Sequence, residues 1–456
     1  MDTMPMPMPM SMPKNRFNHT RRRNKRGGIP IFAGAQGCIF KPSLKCKDRV
    51  RNYHDGNISK LGEKTMTEDE MREYQQIRRH LSRIKHHDKY FSMQASLCEP
   101  DALDRHDLEN FDKVCINMKR HNITAANVNS NLRRLRMINM PDLGIDLKEW
   151  MDRSVVDANH IHQLNDHVST LLVHAVAPMN RLGVIHNDLK SDNVMIDAMG
   201  NARIIDWGLA GVSTATQVVP PHHFMNNPVT FNRPFSTMVI SPQTCELYAS
   251  AVLSNASNPT MVQIKHFTRT VYKQYIKTFD IQSYEYFQYI FMCIFGLKEK
   301  AASERLIDAV TNYNAEILHH FTDHVNRSFR LNEYFSTVYR FNTDVWGLMS
   351  TFYDMFTLPR KQFIMPDAVY AEMLHRYRTL FSTVIFANGH KRIDVSHILK
   401  ELARINAMVD VRSPQKTVRF HRMENSRFRK SIKRVPTPYP YPRSYSPQLK
   451  FPMFKK

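Results

Sequence analysis

The chain has 456 residues, 42% of them apolar and 23% charged, with a formal net charge of +22 at neutral pH. That length can bury a core large enough for two lobes with additions, and the mixed composition excludes a fibrous or wholly disordered protein. Residues 1–28 hold +6 of the charge and residues 411–456 hold +12, leaving +4 for residues 29–410, so the body argues against a nucleic-acid-binding surface of its own.

No apolar run reaches the ~18 residues of a membrane span, and the N-terminus lacks the apolar core of a secretory signal. Cys38, Cys46, Cys98, Cys115, Cys245 and Cys293 form no C-x-x-C pair. They predict reduced thiols in a cytosol-like compartment, with neither a disulfide framework nor a zinc site.

Residues 1–28 open with MDTMPMPMPMSMP and continue basic, which predicts a disordered arm. Ile29–Phe40, IPIFAGAQGCIF, places strand-forming residues on both sides of Gly34 and Gly37, as in a strand–turn–strand. Ile58–Leu61 is a short apolar-flanked run around Lys60. Thr67–Lys85 predicts a helix: Thr67 and Glu70 have capping-box spacing, and Met71, Tyr74, Ile77, Leu81 and Ile84 share one face with Glu73 beside it. An insertion is expected at 100–131. Asp146 stands where it would cap a helix over 147–153, and His160–Arg181 repeats apolar residues at core-helix spacing. Residues 242–340 are rich in helix formers and in Tyr and Phe, and a last helical region spans 367–409. The tail beyond it, 410–456, mixes Arg and Lys with Ser, Pro and Tyr and reads as disordered; Arg427–Arg434, RFRKSIKR, is a candidate nucleic-acid or nuclear-import patch.

The chain is organised around Val184–Gly211, VIHNDLKSDNVMIDAMGNARIIDWGLAG. His186, Asp188, Lys190 and Asn193 give H-x-D-x-K-x-x-N, and Asp206-Trp207-Gly208 follows after an apolar strand. Transfer of a γ-phosphoryl group needs an acceptor hydroxyl held in line and metal ions to neutralise the triphosphate. Asp188 would accept or orient the hydroxyl proton and Lys190 would neutralise the phosphate. Asn193 and Asp206 supply hard oxygen ligands suited to Mg²⁺.

These motifs resemble the catalytic and metal-binding loops of eukaryotic-type protein kinases. The resemblance implies an α+β, bilobal protein-kinase-like fold, with a small β-rich N-lobe at 29–136, a hinge at 137–147 and a larger helical C-lobe at 148–409 that carries a helical insertion at about 242–340. It implies ATP and Mg²⁺ as cofactors and protein substrates. Gly34, Gly37 and Ile39 match the second glycine, third glycine and Val of G-x-G-x-x-G-x-V, with Phe32 at the first glycine. Lys60 would be the phosphate-pairing lysine, Glu73 its helix partner and Asp146 an acidic residue near the ribose. Asp344-Val345-Trp346-Gly347 resembles the start of the helix that braces the catalytic loop, and Arg392 a structural arginine near the domain end.

Lys190 makes the loop similar to that of Ser/Thr kinases. G-x-x-G-C-I-F-K-P at 34–42, F-N-R-P-F-S at 231–236 and D-V-W-G at 344–347 resemble the protein kinases of large DNA viruses, the iridovirus and giant-virus group. The location implied is cytoplasmic, in the host cell on that reading, with the virion and nucleus as alternatives. Asn187 stands where H-R-D has Arg, which predicts activity independent of an activation-loop phosphate. Two other readings compete. Aminoglycoside and choline kinases share H-x-D-x-x-x-x-N and Ile-Asp-Trp but lack Lys190 and the Asp344–Trp346 landmark. A pseudokinase scaffold with nucleic-acid-binding tails would not need an intact Asp188, Asn193 and Asp206.

Overall fold

Alternation builds the first sheet: on β2 (Gly37–Lys41) and β3 (Asn57–Glu63), Cys38, Phe40 and Leu61 are buried while Ile39 and Lys60 are half-buried. The computed structural model describes residues 28–34, 37–47, 56–153, 155–213, 220–225, 229–278 and 281–412. The expected arm at 1–28, apart from Gly28, and the tail beyond Arg412 with Arg427–Arg434 lie outside the described residues. The chain divides into a smaller unit, residues 1–63 and 98–137, and a larger one, residues 64–97 and 138–456.

The smaller unit is built on a five-stranded sheet. With β1 (Ile29–Gly34), β4 (Ser96–Cys98) and β5 (Leu135–Pro141), the strand order is β1-β2-β3-β5-β4. The β1–β2 hairpin pairs Gly34 with Gly37, and β2 pairs with β3 through Gly37↔Gly62 and Ile39↔Lys60. Short helical turns at 111–134 cover this sheet and contribute Phe111, Met118, Ile123 and Val128 to its core beside Phe40 and Leu61. The expected insertion at 100–131 is thus half of a hydrophobic core.

Two disulfides correct the expectation of reduced thiols throughout. Cys38 joins Cys115 and Cys46 joins Cys98, with Cα–Cα distances of 5.2 and 5.9 Å, while Cys245 and Cys293 are free. One pair ties β2 to the covering turns and the other ties the chain just after β2 to β4, 77 and 52 residues apart in sequence, so no local spacing pattern announces either.

The larger unit is helical. Its first helix, Lys64–Leu81, starts where β3 ends, three residues before the expected Thr67. Thr67 is therefore a buried helical residue and not a cap. Met71, Ile77 and Leu81 line the buried face, and Ile77, Leu81, Ile84, Phe91 and Met93 join the larger core. Within residues 137–147, β5 runs to Pro141, and β6 (Ile145–Asp146) pairs with β8 (Val194–Ile196), which pairs with β9 (Ala202–Ile204). The helix Ala158–Leu171 is capped by Asp157, whose side chain accepts from the His160 N–H. It leads through Arg181 to β7 (Val184–Ile185), which pairs with β10 (Gly211–Val212).

Residues 242–340 pack into the core of the larger unit. The helices Met261–Thr278, Ile281–Phe295 and Glu299–Phe321 supply Ile264, Phe287, Phe291, Leu306 and Tyr313 to the same core as the catalytic segment. The β-rich unit followed by a larger helical unit is the architecture of a protein-kinase fold.

Candidate active site

The loop between β7 and β8 is held by a buried carboxylate. Asp344, on the helix Arg340–Met349, accepts from the His186 N–H at 3.0 Å, the Asn187 N–H at 2.9 Å and the Asn180 Nδ2 at 2.6 Å. Burial raises its carboxyl, against the pull of His186 and these donors toward the charged form. Three residues on, Gly347 faces Leu189: a Cβ there would lie 2.7 Å from the Leu189 carbonyl oxygen. Trp346 Nε1 donates to the Phe231 carbonyl at 3.0 Å. Asp344, Trp346 and Gly347 thus each have a separate task at one helix end.

Held this way, Asp188 accepts four hydrogen bonds from three side chains. Lys190 Nζ and Asn193 Nδ2 each reach its Oδ2 at 3.1 Å, Asn193 Nδ2 also donates to its carbonyl at 2.7 Å, and Asn232 Nδ2 donates to Oδ1 at 2.8 Å. Burial alone would raise this carboxyl; the charges of Lys190 and Arg233 and the Asn232 hydrogen bond outweigh it and hold the group below its ordinary value. Desolvation would likewise lower Lys190, but Asp188, Asp192 and Asp206 outweigh it and raise the ammonium. An ionised carboxylate paired with a fixed cation is therefore the resting state at neutral pH.

His186 sits beneath the loop. Its Nδ1 accepts from the Asp188 N–H at 3.3 Å and its Nε2 lies 2.8 Å from the Ile205 carbonyl, which assigns the proton to Nε2. Trp207 is buried against His186 and Phe91, with ring centroids 4.7 and 5.6 Å apart. The aromatic of D-W-G therefore packs, while the Asp206 carboxylate beside it is exposed. Asn187 and Asp206 have positive φ, 63° and 62°, a region in which Asn and Asp are enriched.

Residues 131–232 match the protein kinase domain. That stretch is similar to the catalytic segment of eukaryotic-type protein kinases. A stretch of 94 residues is 31% identical to serine/threonine-protein kinase CBK1 of Debaryomyces hansenii, covering 21% of this chain and 12% of that protein. Another of 113 residues is 28% identical to serine/threonine-protein kinase ppk35 of Schizosaccharomyces pombe, covering 22% and 18%. A third, of 67 residues, is 36% identical to sperm motility kinase Z of Mus musculus, covering 12% and 14%. The matched regions span less than a fifth of each of these relatives.

Within this matched segment Asp188, Lys190 and Asn193 are in direct contact, and the charge of Asp206 is felt at Lys190. Asn193 spends its Nδ2 on Asp188, which leaves Oδ1 as a hard oxygen donor; with the exposed Asp206 carboxylate it fits the sparse protein ligation that Mg²⁺ accepts. Among the described residues there is no group of three or more His, Cys, Asp or Glu that would hold another metal.

The remaining candidates fare differently. Gly34, Gly37, Ile39 and Lys60 lie on neighbouring strands of the smaller unit, but the tip of the turn, residues 35 and 36, lies outside the described residues. Gly37 has a structural reason to be glycine, because a Cβ would lie 2.6 Å from the Leu61 carbonyl oxygen. Phe32, at the missing first glycine, is 63% exposed. Glu73 is exposed on its helix, whereas Glu70 is half-buried and closer to the apolar stripe of Thr67, Met71 and Tyr74. Asp146 acts as the helix cap: its Oδ1 accepts from the Glu149 N–H at 2.7 Å, and burial raises its carboxyl. Arg392 is exposed, donating from Nε to the Thr337 carbonyl at 2.7 Å with its guanidinium over the Phe341 ring.

Asn232 and Arg233 are the residues that sequence reasoning missed. They follow a segment with no A-P-E landmark, and only the fold brings them back to residues 187–189.

Proposed function

We propose that the protein transfers the γ-phosphoryl group of ATP to Ser or Thr hydroxyls of protein substrates. The observation that carries this reading is the Asp188 carboxylate, held ionised between Lys190 and Asn232 at the end of a loop pinned by Asp344. Such a carboxylate accepts a hydrogen bond from an incoming hydroxyl and orients its oxygen for attack. Lys190, two residues away, balances charge on the transferred group. Asn193 and Asp206 would hold Mg²⁺, which when bound neutralises the triphosphate. Similarity to two proteins named serine/threonine-protein kinases supports protein hydroxyls as acceptors.

Several finer points belong to the same proposal. Lys60 is assigned to the phosphates from its place on β3 beside the glycine hairpin. Kinship with the kinases of large DNA viruses rests on the runs at 34–42, 231–236 and 344–347. Nucleic-acid binding by the basic ends rests on their charge alone. A cytoplasmic location is weighed against by the two disulfides, which persist best in oxidising compartments.

Incubation with labelled ATP·Mg²⁺ and a mixed protein substrate, beside an Asp206→Ala control, tests the reading. Label on Ser or Thr that disappears in the control is expected. ATP binding without transfer would replace it by a scaffold function, and turnover only of small alcohols or aminoglycosides by a small-molecule kinase.

A further inference from the structure

We propose that Arg233 is a positioning residue for the catalytic loop, doing from the far segment what a cation at position 187 would do, and that the helical region 242–340, not an added phosphate, keeps it seated. The inference rests on the kinase reading above.

Arg233 is 4% exposed, and its Nε donates to the Asn187 carbonyl at 2.9 Å. Asn232, next to it, bonds the Asp188 carboxylate at 2.8 Å and the Leu189 carbonyl at 3.2 Å. One dipeptide thus holds three consecutive residues of the loop, while Asp344 holds the amides of His186 and Asn187. Opposed grips fix both the carbonyl and the N–H of Asn187. A buried guanidinium on a carbonyl is a charge-assisted bond and stronger than a neutral one.

Apolar packing orders the segment that carries this dipeptide. The Phe231 ring meets Tyr286 at 4.9 Å, and the Phe235 ring meets Phe287 and Tyr313 at 5.5 and 5.6 Å. Asn314 Nδ2 donates to the Phe235 carbonyl at 3.2 Å, and the Tyr339 hydroxyl lies 3.4 Å from Thr237 Oγ1. These five partners come from 242–340, and Trp346 and Phe386 add ring contacts to Phe235 at 4.8 and 5.6 Å from beyond it. An activation segment ordered by phosphorylation needs a guanidinium free to receive the phosphate. Here position 187 has none, Arg233 is engaged with a carbonyl, and the hydroxyls of Ser236, Thr237 and Ser241 are buried.

The full-length protein, treated with a broad-specificity phosphatase, is assayed for kcat and for the KM of ATP, alongside Arg233→Met, Arg233→Lys and Asn314→Ala. Undiminished wild-type activity after phosphatase treatment is expected. Arg233→Met should lower kcat about 100-fold with the KM of ATP within about twofold, Arg233→Lys should fall between, and added guanidinium ion should restore part of the Met variant's rate. Asn314→Ala should lower kcat about tenfold, again with ATP affinity unmoved. Loss of wild-type activity on dephosphorylation, an Arg233→Met kcat within about threefold of wild type, or a KM rising in step with the kcat loss each overturns the proposal. If the Met variant does not fold, Arg233→Lys decides: wild-type kcat overturns the proposal, and a loss of about tenfold at an unchanged thermal midpoint supports it. A wild type that transfers no phosphate overturns this inference and the kinase reading together; a fully active Arg233→Met overturns this inference alone.

Discussion

Asn232 Nδ2 donates to Asp188 Oδ1 at 2.8 Å across 44 residues of sequence, and the same amide reaches the Leu189 carbonyl at 3.2 Å. Thr230 Oγ1 donates in turn to Asn232 Oδ1 at 2.8 Å, which fixes the amide orientation so that its NH₂ faces the carboxylate. The oxygen opposite Lys190 and Asn193 is thereby held from Thr230 and Asn232.

Replacing Asn232 by Ala should therefore lower kcat by about 100-fold while leaving the KM of ATP near its wild-type value, since a misplacement of the order of 1 Å at the base has that cost. Asn232→Asp should be worse, because it sets a second carboxylate against Asp188. Steady-state kinetics on both variants checks the pair; an active Asp variant would show that the contact is dispensable.

Gly347→Ala sets two effects against each other. Alanine is the better helix former by about 1 kcal/mol, but its Cβ would meet the Leu189 carbonyl oxygen at 2.7 Å and the Leu189 Cβ at 2.8 Å. Overpacking of that kind costs about 1–3 kcal/mol, so the variant should be less stable and its loop displaced. Urea unfolding with kcat measured in parallel tests this; a more stable variant with full activity would contradict it.

Asp354 is buried, and desolvation pushes its carboxyl up to about 6 despite the pull of Lys148 and a hydrogen bond from Ser191. The folded state thus binds a proton that the unfolded state has released, so stability contributed by this group is full below the ordinary carboxylate range and is lost as pH rises toward 6. About two pKa units correspond to about 3 kcal/mol. The thermal midpoint of the wild type should fall relative to that of Asp354→Asn between about pH 4 and 6, with no further divergence above. Parallel curves across that window would refute a buried titrating Asp354.

The two disulfides give a fourth expectation. Non-reducing peptide mass spectrometry should link Cys38 to Cys115 and Cys46 to Cys98, leaving Cys245 and Cys293 alkylatable after unfolding. Removing one bridge by a Cys38→Ser, Cys115→Ser double change should cost about 2–4 kcal/mol in the smaller unit. Four free thiols at those positions in the folded protein would overturn the pairing.

Local sequence already determined the chemistry at Val184–Gly211. Catalytic spacing is set by a short loop and a 3₁₀ turn, so Asp188, Lys190 and Asn193 meet through neighbouring backbone alone. The cap at Asp157 is a local feature, three residues before the amide it bonds, and the N-cap of 147–153 at Asp146 was legible beside its competing ribose role. Burial periodicity likewise gave the face of Lys64–Leu81, although not its first turn, because β3 passes into the helix without the loop that a capping box requires.

Long-range matters were decided only by the fold. Composition showed 242–340 to be helical and aromatic, but whether such a region stands apart or enters the core depends on which apolar faces meet; Phe235 among Phe287, Phe291 and Tyr313 answers that. Cysteines 52 and 77 residues apart carry no mark of pairing until strands and covering turns bring them within reach. Asn232 and Arg233 were legible only as part of the F-N-R-P-F-S run, with no role attached, because hydrogen bonds across more than 40 residues leave no periodicity. The sequence by itself specified a phosphoryl-transfer loop; the tertiary structure alone determined what holds that loop still, since opposed contacts from distant segments exist only once the chain has closed on itself.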